Sequence, residues 1–384
     1  MHILFISDGD DKYGAPRSMK EFIKSLMNFD KKIKVSVVLV KGSDLESYYR
    51  QLGCLTYTVL YGAHYQSIPE QHWKLPFKFL IRGTKYLLGR CGGIYYLNKK
   101  LDLDSIDIIH ANSSREDLGA MLALRYNKPL IWHIRELGLD CFSFRRDYIH
   151  FMNSSATKFI LVSEAAKAHW INKGLNEDKV IRIYNGISTK INAKMEYIND
   201  KDKIKLLMLG CIYEAKGQIQ IIEALGLMKE KERKNLVLDI VGGGRSNAYI
   251  KKLEKLVNKY GLSSMVNFLG FCDDFSNQIC QYDCGIMCSR QEGFGRVTVE
   301  YMMAGLPVIA SDIAANKELI NSETGLLYHV GDIHSLKEKI VYLVNHRDLI
   351  EKMGRKAREY AQTSFSTEIN TELVYNEYLK IIRK

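Results

Sequence analysis

The chain lacks any apolar run that approaches the roughly 18 residues needed for a membrane-spanning helix. It also lacks the pattern of a secretory signal. The opening MHILFISDGD enters a buried-strand pattern at once, without a basic segment or a small-residue cleavage site. We therefore expect a cytoplasmic protein, in which the eight cysteines of a 384-residue chain do not form disulfides.

Recognisable metal-binding patterns are also missing. Cys280, Cys284 and Cys288 are spaced four apart, which matches no common iron–sulfur arrangement. Cys284, Ile286 and Cys288 alternate along YDCGIMCS, which predicts a buried strand. Asp102 and Asp104 have the form of a metal-binding D-x-D sequence, but they precede a predicted strand and so fall at its amino end. We expect no catalytic metal and no cofactor.

The net charge of +11 raises the question of a nucleic-acid partner. No helix-turn-helix, zinc-finger or RNP-like segment is visible, so we expect none. A basic balance suits an anionic nucleotide substrate or an anionic membrane surface equally well.

What the sequence does contain is a regular alternation of short apolar runs and helical patterns, repeated in each half. MHILFIS, KVSVVLV and IDIIHA are strand candidates in the first half, and IKLLMLG, LVLDIVG and DCGIMCS in the second. Such alternation predicts an α/β protein with two Rossmann-like doubly wound domains that face each other across a crevice. We place the domains at 1–187 and 204–365, with a polar linker at 188–203. The final helix, 366–384, is expected to pack back on the first domain.

The most informative stretch is RQEGFGRVTVEYMMAGLPVIASD, residues 290–312, which predicts a loop that follows a strand and leads into a helix. Gly293 and Gly295 let backbone amides approach a ligand, and a helix N-terminus favours phosphate. Glu292, in the loop, is placed to accept hydrogen bonds from sugar hydroxyls. Glu300, about one turn into the helix, is placed to bind both hydroxyls of a ribose. The alternative, a capped helix with two solvated acids, does not explain the glycines.

This stretch resembles the E-x₇-E signature of glycosyltransferase family 4, whose members are retaining enzymes with the GT-B fold. The resemblance implies that Glu292 and the amides around Gly293, Phe294 and Gly295 contact the donor sugar. It implies that Glu300 binds the ribose of the donor nucleotide.

A second segment, LLMLGCIYEAKGQIQIIEAL at 206–225, places Lys216 at the end of a strand–loop–helix turn, where a lysine suits a diphosphate. It resembles the family motif G-R-x₄-K-G, but Cys211 stands where the arginine is usual. Arg290 or Arg296 would then supply the missing charge.

Further candidates lie on other strand ends. Gly14 resembles the family's first glycine loop, which makes room for the diphosphate and the acceptor. Gly243 follows a strand and precedes a helix, so it is either part of the nucleotide-facing rim or a structural turn. His133 and Arg135 share one face of a strand, and each competes for the position of the family histidine near the reacting sugar. A purely structural role stays open for His133.

The segment HWKLPFKFLIRGTKYLLGR, residues 72–90, predicts a helix with Lys78, Arg82 and Lys85 on one arc and apolar side chains on the opposite side. This pattern is typical of an interfacial helix on anionic lipid, and the alternative that stays open is an ordinary domain helix with a solvated basic side.

Taken together, the resemblance implies a hexosyltransferase (EC 2.4). It would move a sugar from a nucleoside-diphosphate sugar, UDP-sugar first, to a lipid-linked or saccharide acceptor, in bacterial surface polysaccharide or glycolipid assembly. We expect it in the cytoplasm, peripheral on the inner face of the membrane. Two alternatives stay open: a nucleotide-sugar epimerase of similar fold, and a nucleotide-sugar-binding subunit without activity, which Cys211 and the single Gly14 would fit.

Overall fold

A computed structural model describes residues 1–7, 14–60, 65–67, 75–138, 141–143, 147–196 and 203–383. The chain divides into two compact units, Met1–Gly186 with Thr367–Lys384, and Ile187–Ser366. The first boundary adjoins the predicted domain end at 187. The described part of the predicted linker belongs to the second unit, where the amide of Lys194 donates to the carbonyl of Ala304 at 2.8 Å.

The first unit is built on a parallel sheet of seven strands in the order β3-β2-β1-β5-β6-β8-β9. Every residue of β1 is buried, as expected for a strand covered by helices on both faces. In chain order its strands are β1 His2–Ile6, β2 Lys34–Val40, β3 Leu55–Val59, β4 Tyr65–Ser67, β5 Ile108–Ala111, β6 Leu130–Ile134, β7 Cys141–Ser143, β8 Lys158–Leu161 and β9 Val180–Arg182; β4 and β7 form a separate antiparallel pair. Its helices are α1 Gly14–Phe29, α2 Leu45–Gln51, α3 Leu75–Lys100, α4 Leu118–Tyr126, α5 Tyr148–Ser155 and α6 Glu164–Asn172.

The second unit contains a parallel sheet of six strands in the order β12-β11-β10-β13-β14-β15. The strands are β10 Ile204–Leu209, β11 Leu236–Val241, β12 Val266–Gly270, β13 Cys284–Met287, β14 Val308–Ser311 and β15 Gly325–Tyr328. The helices are α7 Gln218–Gly226, α8 Glu230–Arg233, α9 Asn247–Lys259, α10 Arg296–Met303, α11 Ala314–Leu319, α12 Ile333–Asn345 and α13 Asp348–Ser364. Because β11, β10 and β13 are neighbours in a parallel sheet, the loops that follow them meet at one edge. Two Rossmann-like doubly wound units are therefore confirmed.

The last helix, α14 (Thr367–Ile382), packs on the first unit. Tyr378 Oη lies 2.7 Å from His110 Nδ1, and Thr371 Oγ1 donates to Ser25 Oγ at 2.8 Å. The chain thus returns to its first unit after completing the second.

The prediction of a buried strand around the cysteines is confirmed, since Cys284 and Cys288 are both fully buried. Among the described residues, no three or more His, Cys, Asp or Glu side chains gather in a way that would hold a metal ion. None of the described helices combines the length and apolarity needed to cross a bilayer.

Candidate active site

Two residues shape the loop between β13 and α10. Gly295, the residue before α10, has φ +92°, a left-handed conformation that favours glycine. Phe294 is buried, with its ring 6.0 Å from that of Phe365. These two features shape the loop backbone between Glu292 and the helix.

A second turn lies directly beside this loop. The 3₁₀ turn Glu214–Lys216 follows β10, and Gly217 closes it with φ +72°. A Cβ at Gly217 would overlap the carbonyl oxygen of Cys288, so only glycine permits this approach. The amide of Arg290 donates to the carbonyl of Ala215 at 2.9 Å and joins the two loops.

These contacts bring Lys216 and Glu292 together. Lys216 Nζ donates to Glu292 Oε1 at 2.5 Å, and the two side chains are 23% and 14% exposed. Burial by itself lowers the pKa of Lys216, but the charge and hydrogen bond of Glu292 more than offset this and raise it. The lysine is therefore a fixed cation at the edge of the sheet.

Glu300 lies within α10, nearly buried, where its Oε1 accepts a hydrogen bond from Arg296 Nε at 2.9 Å. Arg296 is thus engaged by the acid one turn along its own helix. Neither ion pair was part of the sequence-based interpretation. The i,i+4 spacing of Arg296 and Glu300 was a visible signal, whereas Lys216 and Glu292 are separated by 76 residues.

Two other residues predicted to bind the donor lie on the same edge of the second unit's sheet. Arg290 is exposed at the start of the β13 loop. Gly243 lies in the loop after β11, and its carbonyl accepts the amide of Ile212, in the β10 loop, at 2.9 Å.

In the first unit, the structure joins His133 and Arg135 in one buried network. His133, on β6, is fully buried, and its Nδ1 lies 3.3 Å both from His110 Nε2 and from an Arg135 terminal nitrogen. Burial, with the positive charge of Arg135, lowers the pKa of His133 well below 6.5, so the ring is neutral. The sequence interpretation missed His110 and its bond to Tyr378.

Arg135 stands at the carboxyl end of the same strand and is 8% exposed. Its Nε donates to Asn112 Oδ1 at 2.8 Å, and a terminal nitrogen donates to Asn185 Oδ1. Two asparagines that the sequence interpretation did not single out therefore orient this guanidinium. Gly14 is the first residue of α1, and the rest of its predicted loop, 8–13, lies outside the described residues.

Helix α3 contains most of the predicted segment 72–90; residues 72–74 and the side chains of Lys78 and Lys85 lie outside the described set. Its outer face carries Leu80, Leu87, Leu88 and Tyr95, which are 64%, 58%, 74% and 61% exposed. Arg82 is exposed as well, on the opposite side of the helix.

Comparison with known proteins matches both halves of the chain to glycosyltransferases. Residues 190–360 match the model of glycosyl transferases group 1, and residues 14–191 match that of Glycosyltransferase Family 4. An uncharacterized glycosyltransferase of Methanocaldococcus jannaschii is 28% identical over 82% of this chain and 88% of its own length. The capsular polysaccharide biosynthesis glycosyltransferase CapM of Staphylococcus aureus is 24% identical over 68% and 74%.

Solved structures show the same fold. Anabaena HepE in complex with UDP and glucose superposes with a TM-score of 0.76 at 20% identity and covers 99% of this chain and 100% of its own. A Rickettsia africae glycosyltransferase gives 0.78 at 19% identity over 100% and 99%. With two family models spanning residues 14–360 between them, the chain belongs to the family 4 glycosyltransferases, hexosyltransferases with two Rossmann-like units in the GT-B fold.

Proposed function

We propose that this chain transfers a hexose, with retention, from a nucleoside-diphosphate sugar to an acceptor hydroxyl. UDP-sugar is the expected donor. The observation that carries the proposal is the pairing of Lys216 with Glu292 at 2.5 Å on the carboxyl edge of the second sheet. That edge falls within the segment that matches the group 1 glycosyl transferases. The structures of Anabaena HepE with UDP, and with UDP-glucose, support the choice of donor.

In this proposal the second unit binds the donor and stabilises the leaving diphosphate. Lys216 supplies positive charge, and the amides of the loop at Gly293–Gly295 and the N-terminus of α10 supply oriented dipoles. Glu292 accepts hydrogen bonds from the sugar and Glu300 from the ribose. No metal or cofactor takes part. The donor phosphate removes the acceptor proton on the face from which it departs.

The first unit is proposed to bind the acceptor and to contribute Arg135 rather than His133 to the reacting centre. His133 has no exposed surface, so it acts by holding the arginine. We expect Arg135→Lys to lower kcat strongly in the folded protein, and also to lower the free energy of unfolding, because lysine cannot keep the buried contacts to both asparagines. His133→Asn is expected to lower the free energy of unfolding with a smaller loss of kcat. A larger loss of kcat in His133→Asn than in Arg135→Lys would assign the catalytic contact to His133.

We further propose that the acceptor is lipid-linked or a growing saccharide and that α3 rests on an anionic membrane. The exposed side chains of Leu80, Leu87 and Leu88 support an interfacial face, and Arg82, exposed on the other side of the helix, adds positive charge that attracts an anionic surface. CapM, a relative named for capsular polysaccharide biosynthesis, supports a role in surface polysaccharide assembly.

Flotation with phosphatidylglycerol vesicles tests the membrane proposal. The wild type is expected to float at low salt, and Leu87→Gln with Leu88→Gln, or Arg82→Glu, to remain below. Leu124→Gln is the matched control, because this leucine is 53% exposed on α4 of the same unit. Equal flotation of all variants, or none by the wild type, would contradict a membrane surface on α3.

A thermal-shift screen with UDP-, GDP-, ADP- and dTDP-sugars tests the donor, because a ligand that binds only the folded state raises Tm. We expect the largest shift with a UDP-sugar and a much smaller one in Lys216→Met. If no nucleotide sugar stabilises the protein, the proposed function fails. Stabilisation without transfer to any acceptor would indicate a binding subunit instead.

A further inference from the structure

Two of the cations at the site described above are already paired with carboxylates. A diphosphate linked to a nucleoside and a sugar carries two negative charges. Lys216 is already engaged by Glu292, and Arg296 by Glu300. Cys211, in the β10 loop, carries no positive charge at the position where the family motif has arginine.

The loop after β11 lies against the loop that contains Cys211. The amide of Ile212 donates to the carbonyl of Gly243 at 2.9 Å, and the amide of Arg245 donates back to the carbonyl of Ile212 at 3.1 Å. Gly242 has φ +151°, and a Cβ there would overlap the carbonyl oxygen of Gly210. This close approach places the backbone of Arg245 beside the residue next to Cys211.

The side chain of Arg245 follows the same edge. Its guanidinium carbon lies 4.2 Å from the centroid of the Tyr213 ring. The carbonyl of Tyr213 accepts the amide of Lys216 at 3.0 Å, so arginine and lysine flank one turn. Stacking on an aromatic face orients a guanidinium without placing a negative charge on it that would compete with a phosphate. Arg245 is also exposed, and so is accessible to a ligand.

We propose that Arg245, supported on Tyr213, binds the diphosphate of the donor and replaces the arginine that the β10 loop lacks at Cys211. This rests on the proposed function, since it requires a nucleoside-diphosphate sugar at this edge. Its bidentate donors would bind phosphate oxygens while Lys216 binds from the other side of the turn.

Calorimetric titration with UDP and with uridine tests the proposal. Arg245→Ala is expected to weaken UDP binding at least about tenfold, as for loss of a charge-assisted contact, and to leave uridine binding within about twofold. Lys252→Ala is the matched control, because it removes an exposed cation from α9 of the same unit. Arg290→Ala tests whether Arg290, instead of Arg245, supplies the positive charge that Cys211 lacks.

A rescue experiment separates charge supply from a structural role. Cys211→Arg in the Arg245→Ala background restores the guanidinium from the neighbouring loop, and we expect UDP affinity to return to within about threefold of wild type. Unchanged UDP binding in Arg245→Ala, equal loss of uridine and UDP binding, or failure of the rescue would overturn the role of Arg245. A wild type that binds none of UDP, GDP, ADP or dTDP would instead overturn the proposed function itself.

Discussion

The ion pair between Lys216 and Glu292 gives Glu292 two tasks that a single substitution separates. In the unliganded chain its carboxylate neutralises the lysine that we propose for the diphosphate. A diphosphate that binds Lys216 must therefore compete with Glu292. Glu292→Gln keeps the size of the side chain and removes the competing charge.

The burial of the Lys216–Glu292 pair sets the size of the expected change in UDP affinity. With side chains 23% and 14% exposed, the pair lies between exposed pairs, which contribute ~0–1 kcal/mol, and buried ones, where loss of a partner costs ~3–5 kcal/mol. We take ~1–2 kcal/mol as the free energy needed to separate the two groups, which corresponds to a gain in UDP affinity of about 5-fold to 30-fold. Transfer from a UDP-sugar should fall in the same variant, because the sugar loses its carboxylate contact.

Calorimetric titration with UDP and a transfer assay with the UDP-sugar measure the two effects. Glu214→Gln is the control, since it removes an exposed acid from the same turn. Its UDP affinity is expected to stay within about twofold of wild type. If Glu292→Gln binds UDP more weakly than wild type, or no differently from Glu214→Gln, the competition between Glu292 and the diphosphate is wrong.

Three further predictions concern the packing that supports the site. Gly217→Ala should lower the free energy of unfolding by about 3 kcal/mol or more, because its φ is positive and the methyl group would meet a backbone carbonyl; Gly261→Ala, also at positive φ but in open space, should cost only ~1–2 kcal/mol in the same denaturation experiment. Because the folded-state pKa of His133 is lowered, the unfolded state binds more protons, so stability should fall as pH drops below about 6.5, with a smaller slope in His133→Asn. A pH-independent difference between these two proteins would contradict the buried neutral ring. Glu300→Gln should lower the free energy of unfolding by ~1–3 kcal/mol, since it removes the carboxylate from the partly buried Arg296; unchanged stability would mean that the pair contributes little.

Much of this architecture is present in the order of apolar and helical patterns. MHILFIS and IKLLMLG each predict the first strand of a doubly wound unit, and both are buried central strands, β1 and β10. Their carboxyl ends then indicate which loops carry chemistry. The glycines of RQEGFGR point to the same edge. The positive φ of Gly295 and the close packing of the loop favour glycine, so they can be recognised from the sequence.

Contacts between distant segments could not be predicted from the sequence patterns. Lys216 and Glu292 were each expected to bind the donor, but nothing in a linear spacing of 76 residues indicates a mutual hydrogen bond. Similarly, the alternation around His133 assigns the side chain to one face of its strand. It does not indicate that His110 contacts His133 there or that Tyr378 contacts His110. The role of Arg245 depends on a loop-to-loop contact, which likewise has no counterpart in local sequence.

The most direct test of the account is transfer itself. The purified chain is incubated with the UDP-sugar that stabilises it best and a bacterial lipid extract, and the products are measured by mass spectrometry. We predict acceptor lipids heavier by one sugar, with matching release of UDP, and loss of at least about nine-tenths of this product in Lys216→Met. Donor consumed with no sugar on any acceptor, or equal product from Lys216→Met, would contradict the claim that this edge of the second unit drives glycosyl transfer.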